Sequence, residues 1–418
     1  MLEEIKANIG NPEMLEKLYR NDRRAFRAAF ESMYPEIEKT DQAKFWKARL
    51  EYDSKPEILK TLALPEIVMV VTVCLFTAFL IKIPDLFKIS SSEAFYEKNA
   101  AIIVFLGLAI YTVWKNRISG SRSLIITISA FLIPAIYINL LPWDKPGDPV
   151  ILAYIHLPLL MWFIYGVVFS GYDLRDLNKR IGFIRYNGDL AIVYALIAIA
   201  GGILTAITIG LFDSIGLNIE EFYAKNIVIT GAVAAPVIAA FLIEKFPSLV
   251  SKAAPLIAVI FSPLVLITLI VFLVTIVATG KDPYNDRDFL LIFNVMLLGV
   301  MGIIIFSVSE TSVTKNEKFN AIVLFILSII TIIIDLIALS AIFYRLGEYG
   351  LTPNRLAVLI SNILVLINLV LIMIDLFRIN FRKKEFRIVE MTVSKFLPVY
   401  LFWIIIVVFV FPMIFGMN

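Results

Sequence analysis

Asp335 and the four polar residues Asn354, Ser361, Asn368 and Asp375 stand out because their types and spacing point to chemistry inside an apolar environment. The four recur at steps of seven, almost two helical turns, so they share one slowly drifting stripe about 31 Å long. That is roughly the thickness of a bilayer core. A polar lane of this length is costly in a membrane unless it faces protein or water. Asp335 lies on a helix face with Ser328 and Thr331, at i−7 and i−4, about 13 Å along the helix from Tyr344. An ionised carboxylate there needs a partner, water or a proton. At the same depth, other apolar segments offer His156, Thr205, Thr208, Asn294, Ser361 and Asn362. One expectation is that these groups converge on a ligand or ion path. The other is that they are separate packing groups, each satisfied by a hydrogen bond within or between helices.

The elements that position them follow from composition. Of 418 residues 60% are hydrophobic and 17% charged, with a mean hydropathy of +0.86. That is more apolar surface than a soluble fold of this length buries, so most of it faces lipid. The expected fold is all-α: a polytopic transmembrane bundle of about eleven spans, residues 65–418, behind a small helical domain, residues 1–64. The spans are expected near 66–83, 99–114, 123–141, 150–169, 190–212, 226–243, 253–279, 289–308, 319–344, 353–376 and 396–415. Ala198 and Gly202, and Gly231, Ala235 and Ala239, have the four-step spacing of closely packed helices. Residues 171–189 read as an interfacial amphipathic helix.

Orientation follows from the loops. One set of alternate loops carries 17 Lys and Arg, the other 8. The positive-inside rule then puts the N-terminus in the cytoplasm and the C-terminus outside. It also puts the hairpin of Arg345, Glu348, Tyr349, Gly350, Thr352 and Arg355 outside. In that hairpin Gly350 suits a positive φ, Thr352 a helix cap and Pro353 a first helical position. Arg345, Glu348 and Arg355 either pair locally and with headgroups or bind an anionic ligand.

The first 64 residues differ in kind, with 12 basic and 12 acidic residues around apolar positions at helical spacing. Asn11 and Asp22 read as N-caps, Pro35 as a break, and Ser54 to Glu57 as a capping box. The domain is a cytoplasmic cap on the bundle or a docking module for a protein partner.

The run from Tyr344 through Glu348-Tyr349-Gly350-Leu351-Thr352-Pro353-Asn354 to Arg355, with Asp286 to Asn294 and Ile184 to Gly188 upstream, resembles the bacterial polytopic membrane family catalogued as domain of unknown function 4153. The likeness covers about residues 65 to 415, and Asp189 falls where the family pattern has an acid. It implies a multi-pass helical fold in a bacterial inner membrane and carries no activity with it.

Several function classes drop out. One cysteine and one histidine exclude a disulfide framework and any metal site built from several such ligands. A net charge of +3 implies no nucleic acid. Asn285 to Asp288 is superficially similar to a prenyltransferase aspartate motif but has Phe289 in place of an acid, and residues 281–288 lack a calcium loop's central Gly and terminal Glu. The expectation is a non-enzymatic membrane protein without a cofactor that moves or senses a small solute, ion or lipid along a polar path. The alternative is a membrane-anchored signalling or scaffold protein whose N-terminal domain docks a partner.

Overall fold

The computed structural model describes residues 2–21, 23–37, 40–54, 64–88, 92–214, 217–247, 253–279, 287–311 and 317–417. The Asp22 cap, the capping box that ends at Glu57 and residues 280–286 lie outside them. The described residues hold helices and no strand. The chain divides into two compact units, Met1–Val68 and Met69–Asn418.

The first unit contains α1 (Leu2–Ala7), α2 (Pro12–Asn21), α3 (Arg23–Ile37) and α4 (Asp41–Ser54). Asn11 caps α2 by accepting from the Met14 N–H at 3.2 Å. Pro35 does not break α3, which continues for two residues beyond it. The helices close on an aromatic core in which Phe26 and Trp46 pack with ring centroids 5.0 Å apart and Tyr19 lies 5.5 Å from Trp46.

The remaining helices are α5 (Leu64–Ile81), the single turn α6 (Ile83–Leu86), α7 (Ser92–Lys115), α8 (Ser121–Leu140), α9 (Asp148–Phe169), α10 (Leu177–Ser214), α11 (Glu220–Lys245), α12 (Ala253–Thr279), α13 (Arg287–Thr311), α14 (Glu317–Tyr349), α15 (Pro353–Arg382) and α16 (Arg387–Phe415). Ten of these are long and apolar enough to cross a membrane, and the protein is a multi-pass integral membrane protein. Each of the eleven expected segments is a helix. Residues 253–279 are the one not among the ten: within α12 the described apolar stretch is Phe261–Val274.

Two departures have local causes. Residues 177–189 form no separate interfacial helix but are the first turns of the 38-residue α10. Ile181, Ile184 and Leu190 are buried there, so the apolar face of that stretch packs on neighbouring helices and not on headgroups. Near the other end, α16 widens into a π turn at Ile406–Val410, just before Pro412. Proline lacks an N–H and crowds the carbonyl four residues back, here Val408, and the wider turn relieves that.

The small-residue spacing is borne out in part: Ala235 and Ala239 of α11 are buried in the bundle, whereas the glycines of both sets are not at close approaches. A Cβ on Gly202 or Gly231 would meet nothing within 4 Å, and Leu196, Ile199, Ile203 and Ile207 around Gly202 are exposed, as on a lipid-facing surface. The tight position is Gly188, where a Cβ would stand 2.1 Å from the Phe306 ring of α13. Gly107 is similar, 2.7 Å from Thr77.

Candidate functional site

The α14–α15 hairpin is built by local chemistry. Gly350 takes φ +73°, and its N–H closes α14 on the Leu346 carbonyl at 3.0 Å. Thr352 then accepts from the Arg355 N–H at 3.3 Å and Pro353 opens α15. Arg355 folds back, donating to the Tyr349 and Gly350 carbonyls at 2.7 Å each, over the Tyr349 ring. These carbonyls are ones that a helix end leaves unpaired. Glu348 is exposed, and Arg345 lies 6.0 Å from the Tyr349 ring centroid.

From the hairpin the stripe runs down α15 and meets α16. Ser361 accepts from Trp403 Nε1 at 2.9 Å, Asn368 Nδ2 donates to the Tyr400 hydroxyl at 3.0 Å, and Asp375 accepts from the Thr392 hydroxyl. Each step forward on α15 meets a residue further back on α16, so the helices are antiparallel and the seven-step repeat is a ladder between them. Arg378 adds a 3.0 Å ion pair to Asp375. Asn362, next to the stripe, donates to Asn294 of α13 at 2.8 Å. Asn354 is half-buried beside the hairpin.

Asp335 has no such arrangement. It is 0% exposed, and neither carboxylate oxygen has a hydrogen-bond partner. The Ser328 and Thr331 hydroxyls on its face donate to their own helix, to the Leu324 and Leu327 carbonyls at 2.8 and 2.7 Å. Counted from the turn at Gly350, Asp335 lies 15 residues back on α14 and Asn368 18 residues on along α15, so the antiparallel pair brings them to about the same depth. Asn368, also 0% exposed, leaves its Oδ1 without a partner. The apolar residues Ile334, Ala338, Val365 and Leu369 belong to the same core. Asp335, Asn368 and Tyr400 thus come from three helices to one neighbourhood. An ionised carboxylate in such a core costs many kcal/mol unless a proton, a cation or water meets it.

The other residues expected at this depth divide. Asn294, Asn362 and Ser361 are paired between helices as described. His156 is half-buried, with Nδ1 2.8 Å from the Leu152 carbonyl of its own helix. Thr208 donates to its own Leu204 carbonyl at 2.7 Å, on the lipid-facing half of α10. Asp375 lies seven residues beyond Asn368, about 10 Å further along α15.

A second polar cluster was not singled out from the sequence. Arg185 of α10 lies 3.4 Å from Glu310 of α13 and 3.4 Å from Glu390 of α16, and donates to the Ser309 carbonyl at 3.0 Å. Asp189 is one turn along α10. Glu310 is buried. The readable signal is a charged residue near one end of each of three helices, Arg185 in the third turn of α10, Glu310 in the last turn of α13 and Glu390 in the first turn of α16; which charges meet is a matter of tertiary packing. Outside the bundle, Asp173 accepts from the Arg175 N–H and from Lys179, which hold its carboxyl below the usual carboxylate range.

Among the described residues no group of three or more His, Cys, Asp or Glu side chains is placed to hold a metal. Comparison of the chain with protein families, with curated proteins and with solved structures gave no match.

Proposed function

We propose that α13 to α16 line a polar path by which this membrane protein moves or senses a small solute or ion, without enzymatic chemistry. The observation that carries the reading is the Asp335 carboxyl, wholly buried with neither oxygen hydrogen-bonded, on a helix packed beside others whose Ser361, Asn362 and Asp375 are paired between or along helices. A carboxyl kept only for packing has a donor, as Asp375 has in Arg378 and Thr392. Asp335→Asn, nearly isosteric, is expected to fold normally and to lose ion- or pH-driven flux in proteoliposomes. Unchanged flux of every ion tested overturns the reading.

The loop charges support a cytoplasmic N-terminus and an external hairpin; kinship with the family catalogued as domain of unknown function 4153, and with it a bacterial inner membrane as the setting, are part of the same proposal, supported by the Tyr349-Gly-Leu-Thr-x-x-Arg355 element. Cys74 is the only cysteine, so Cys74→Ala gives a background without a thiol. On that background a cysteine at position 348 is expected to react with an impermeant thiol reagent on intact spheroplasts. Reaction only after lysis reverses the orientation.

A second reading, a scaffold that docks a protein through its N-terminal unit, is favoured by a groove between α2 and α4. Pro12, Glu16, Arg20, Phe45, Trp46 and Arg49 line it, and Phe45 is 62% exposed. Deleting residues 1–60 separates the readings: loss of a copurifying protein with flux intact supports the scaffold.

A further inference from the structure

We infer that Asp335, Asn368 and Tyr400 form a binding site for a small monovalent metal cation of the sodium class, held through oxygen; the inference rests on the polar path proposed above and names the species it takes.

The argument is an inventory of unmet valences. Apart from Arg345 Nη1, about 15 Å along α14 toward the hairpin, the buried side-chain atoms of α14 and α15 without a hydrogen-bond partner are Asp335 Oδ1, Asp335 Oδ2 and Asn368 Oδ1. All three are acceptors. Asn368 donates one of its two amide N–H groups to the Tyr400 hydroxyl, which fixes the carboxamide and leaves its carbonyl oxygen without a partner. Ser328 and Thr331 have spent theirs on backbone carbonyls. The donors left over, the second Asn368 N–H and the Tyr400 O–H, are neutral, so what the carboxylate lacks is a positive centre, and an anion does not fit the site.

Charge and size narrow the class. Asp335 is the one formal charge of the three groups, and the core residues that share its neighbourhood, Ile334, Ala338, Val365 and Leu369, are apolar. A monovalent ion makes the site neutral. A divalent ion leaves a net positive charge in that core, at a desolvation cost of several kcal/mol. Asp335 and Asn368 are both fully enclosed, so the guest is of atomic size. A proton bridges at most two oxygens, here one carboxylate oxygen and the Asn368 carbonyl, whereas a metal ion takes several at once: two from the carboxylate, the Asn368 carbonyl and the Tyr400 hydroxyl are the hard donors such ions prefer.

The site also has moving parts of a simple kind. Its three groups come from α14, α15 and α16, and the ladder from α15 to α16 continues on both sides of it, at Ser361–Trp403 and at Asp375–Thr392. A cation that draws Asp335 toward Asn368 and Tyr400 ties α14 to a pair of helices already joined to each other. Binding therefore stabilises the bundle, and that is measurable without knowing the direction of flux.

The test uses the purified full-length protein, melted in sodium chloride and in choline chloride at matched ionic strength. Sodium is expected to raise the melting temperature saturably. The rise is expected to vanish in Asp335→Asn. In Asn368→Ala, and in Tyr400→Phe, which keeps the ring and loses only the hydroxyl, the apparent sodium affinity is expected to fall about tenfold to a hundredfold, the loss of one hydrogen-bond-strength contact to a charge. A wild-type melt indifferent to sodium overturns the inference. If proteoliposome flux is nevertheless lost in Asp335→Asn, the carboxyl works with a proton, or with the Asn368 amide turned to donate to it, and the polar path stands. If flux also survives that substitution, the path falls with the site.

Discussion

Asp335 and Asp375 are buried aspartates on adjacent antiparallel helices, and they are treated in opposite ways. Asp375, 6% exposed, has Arg378 at 3.0 Å and the Thr392 hydroxyl. Asp335, 0% exposed, has neither a cation nor a donor. The same side chain therefore serves as a strut in one place and is left as an open valence in the other. Burying a charge is tolerable when its partners come with it, so the paired residue belongs to the architecture. The unpaired one is the residue whose cost folding does not offset, and such residues concentrate where a protein does something.

The difference can be broken from the paired side first. Asp375→Ala leaves Arg378 and Thr392 without their acceptor, and because Arg378 is half-exposed the loss is expected to be about 1–3 kcal/mol, with flux unchanged. Unfolding in mixed micelles measures the first quantity and proteoliposome flux the second. If Asp375→Ala abolishes flux without a change in stability, the strut is part of the path.

The amide pair across α13 and α15 sharpens the same point. Asn294→Leu alone leaves Asn362 orphaned, whereas Asn294→Leu with Asn362→Leu removes both partners. A double-mutant cycle is expected to give a coupling of about 0.6 kcal/mol, and no more than about 1.7. Coupling well above that range would mean the pair does more than join helices.

The smallest effect is expected at a paired acid outside the bundle. Glu16 accepts from Arg20 at 2.8 Å and from Arg49 at 3.1 Å, and these contacts, the Arg20 hydrogen bond first, hold its carboxyl below the usual carboxylate range. A lowered folded-state pKa contributes stability above the unfolded value, near 4.3, that is lost as pH falls through the folded value. Glu16→Gln is thus expected to cost roughly 0.2–1 kcal/mol at neutral pH and nothing in strong acid. A cost that persists in acid would assign it to packing.

Much of the fold was legible because its causes are local. The helix positions follow from apolar runs, and the hairpin from Gly350, Thr352 and Pro353, each needed for a backbone conformation or a cap that neighbouring residues define. The site was legible only in part. Counting residues along a helix gives depth, which is why Asp335, Asn294 and Asn362 were grouped, but it gives no rotation about the axis. His156 and Thr208 share that depth and satisfy themselves on their own helices. Tyr400 was missed for the same reason: its hydroxyl matters through Asn368, 32 positions away, and nothing near it in sequence marks it. Gly188 meets Phe306 across two helices, so its tight fit was equally hidden.

The two aspartates measured side by side test the account most directly. Asp335→Asn and Asp375→Asn, purified in parallel, should be compared for melting temperature and for flux in the same proteoliposomes. The account predicts a crossed result: melted in choline chloride without sodium, Asp335→Asn unfolds at or above the wild-type temperature and loses flux, while Asp375→Asn melts lower and keeps it. An Asp335→Asn protein that melts several degrees lower yet transports normally would make Asp335 the strut, and would contradict the account at its centre.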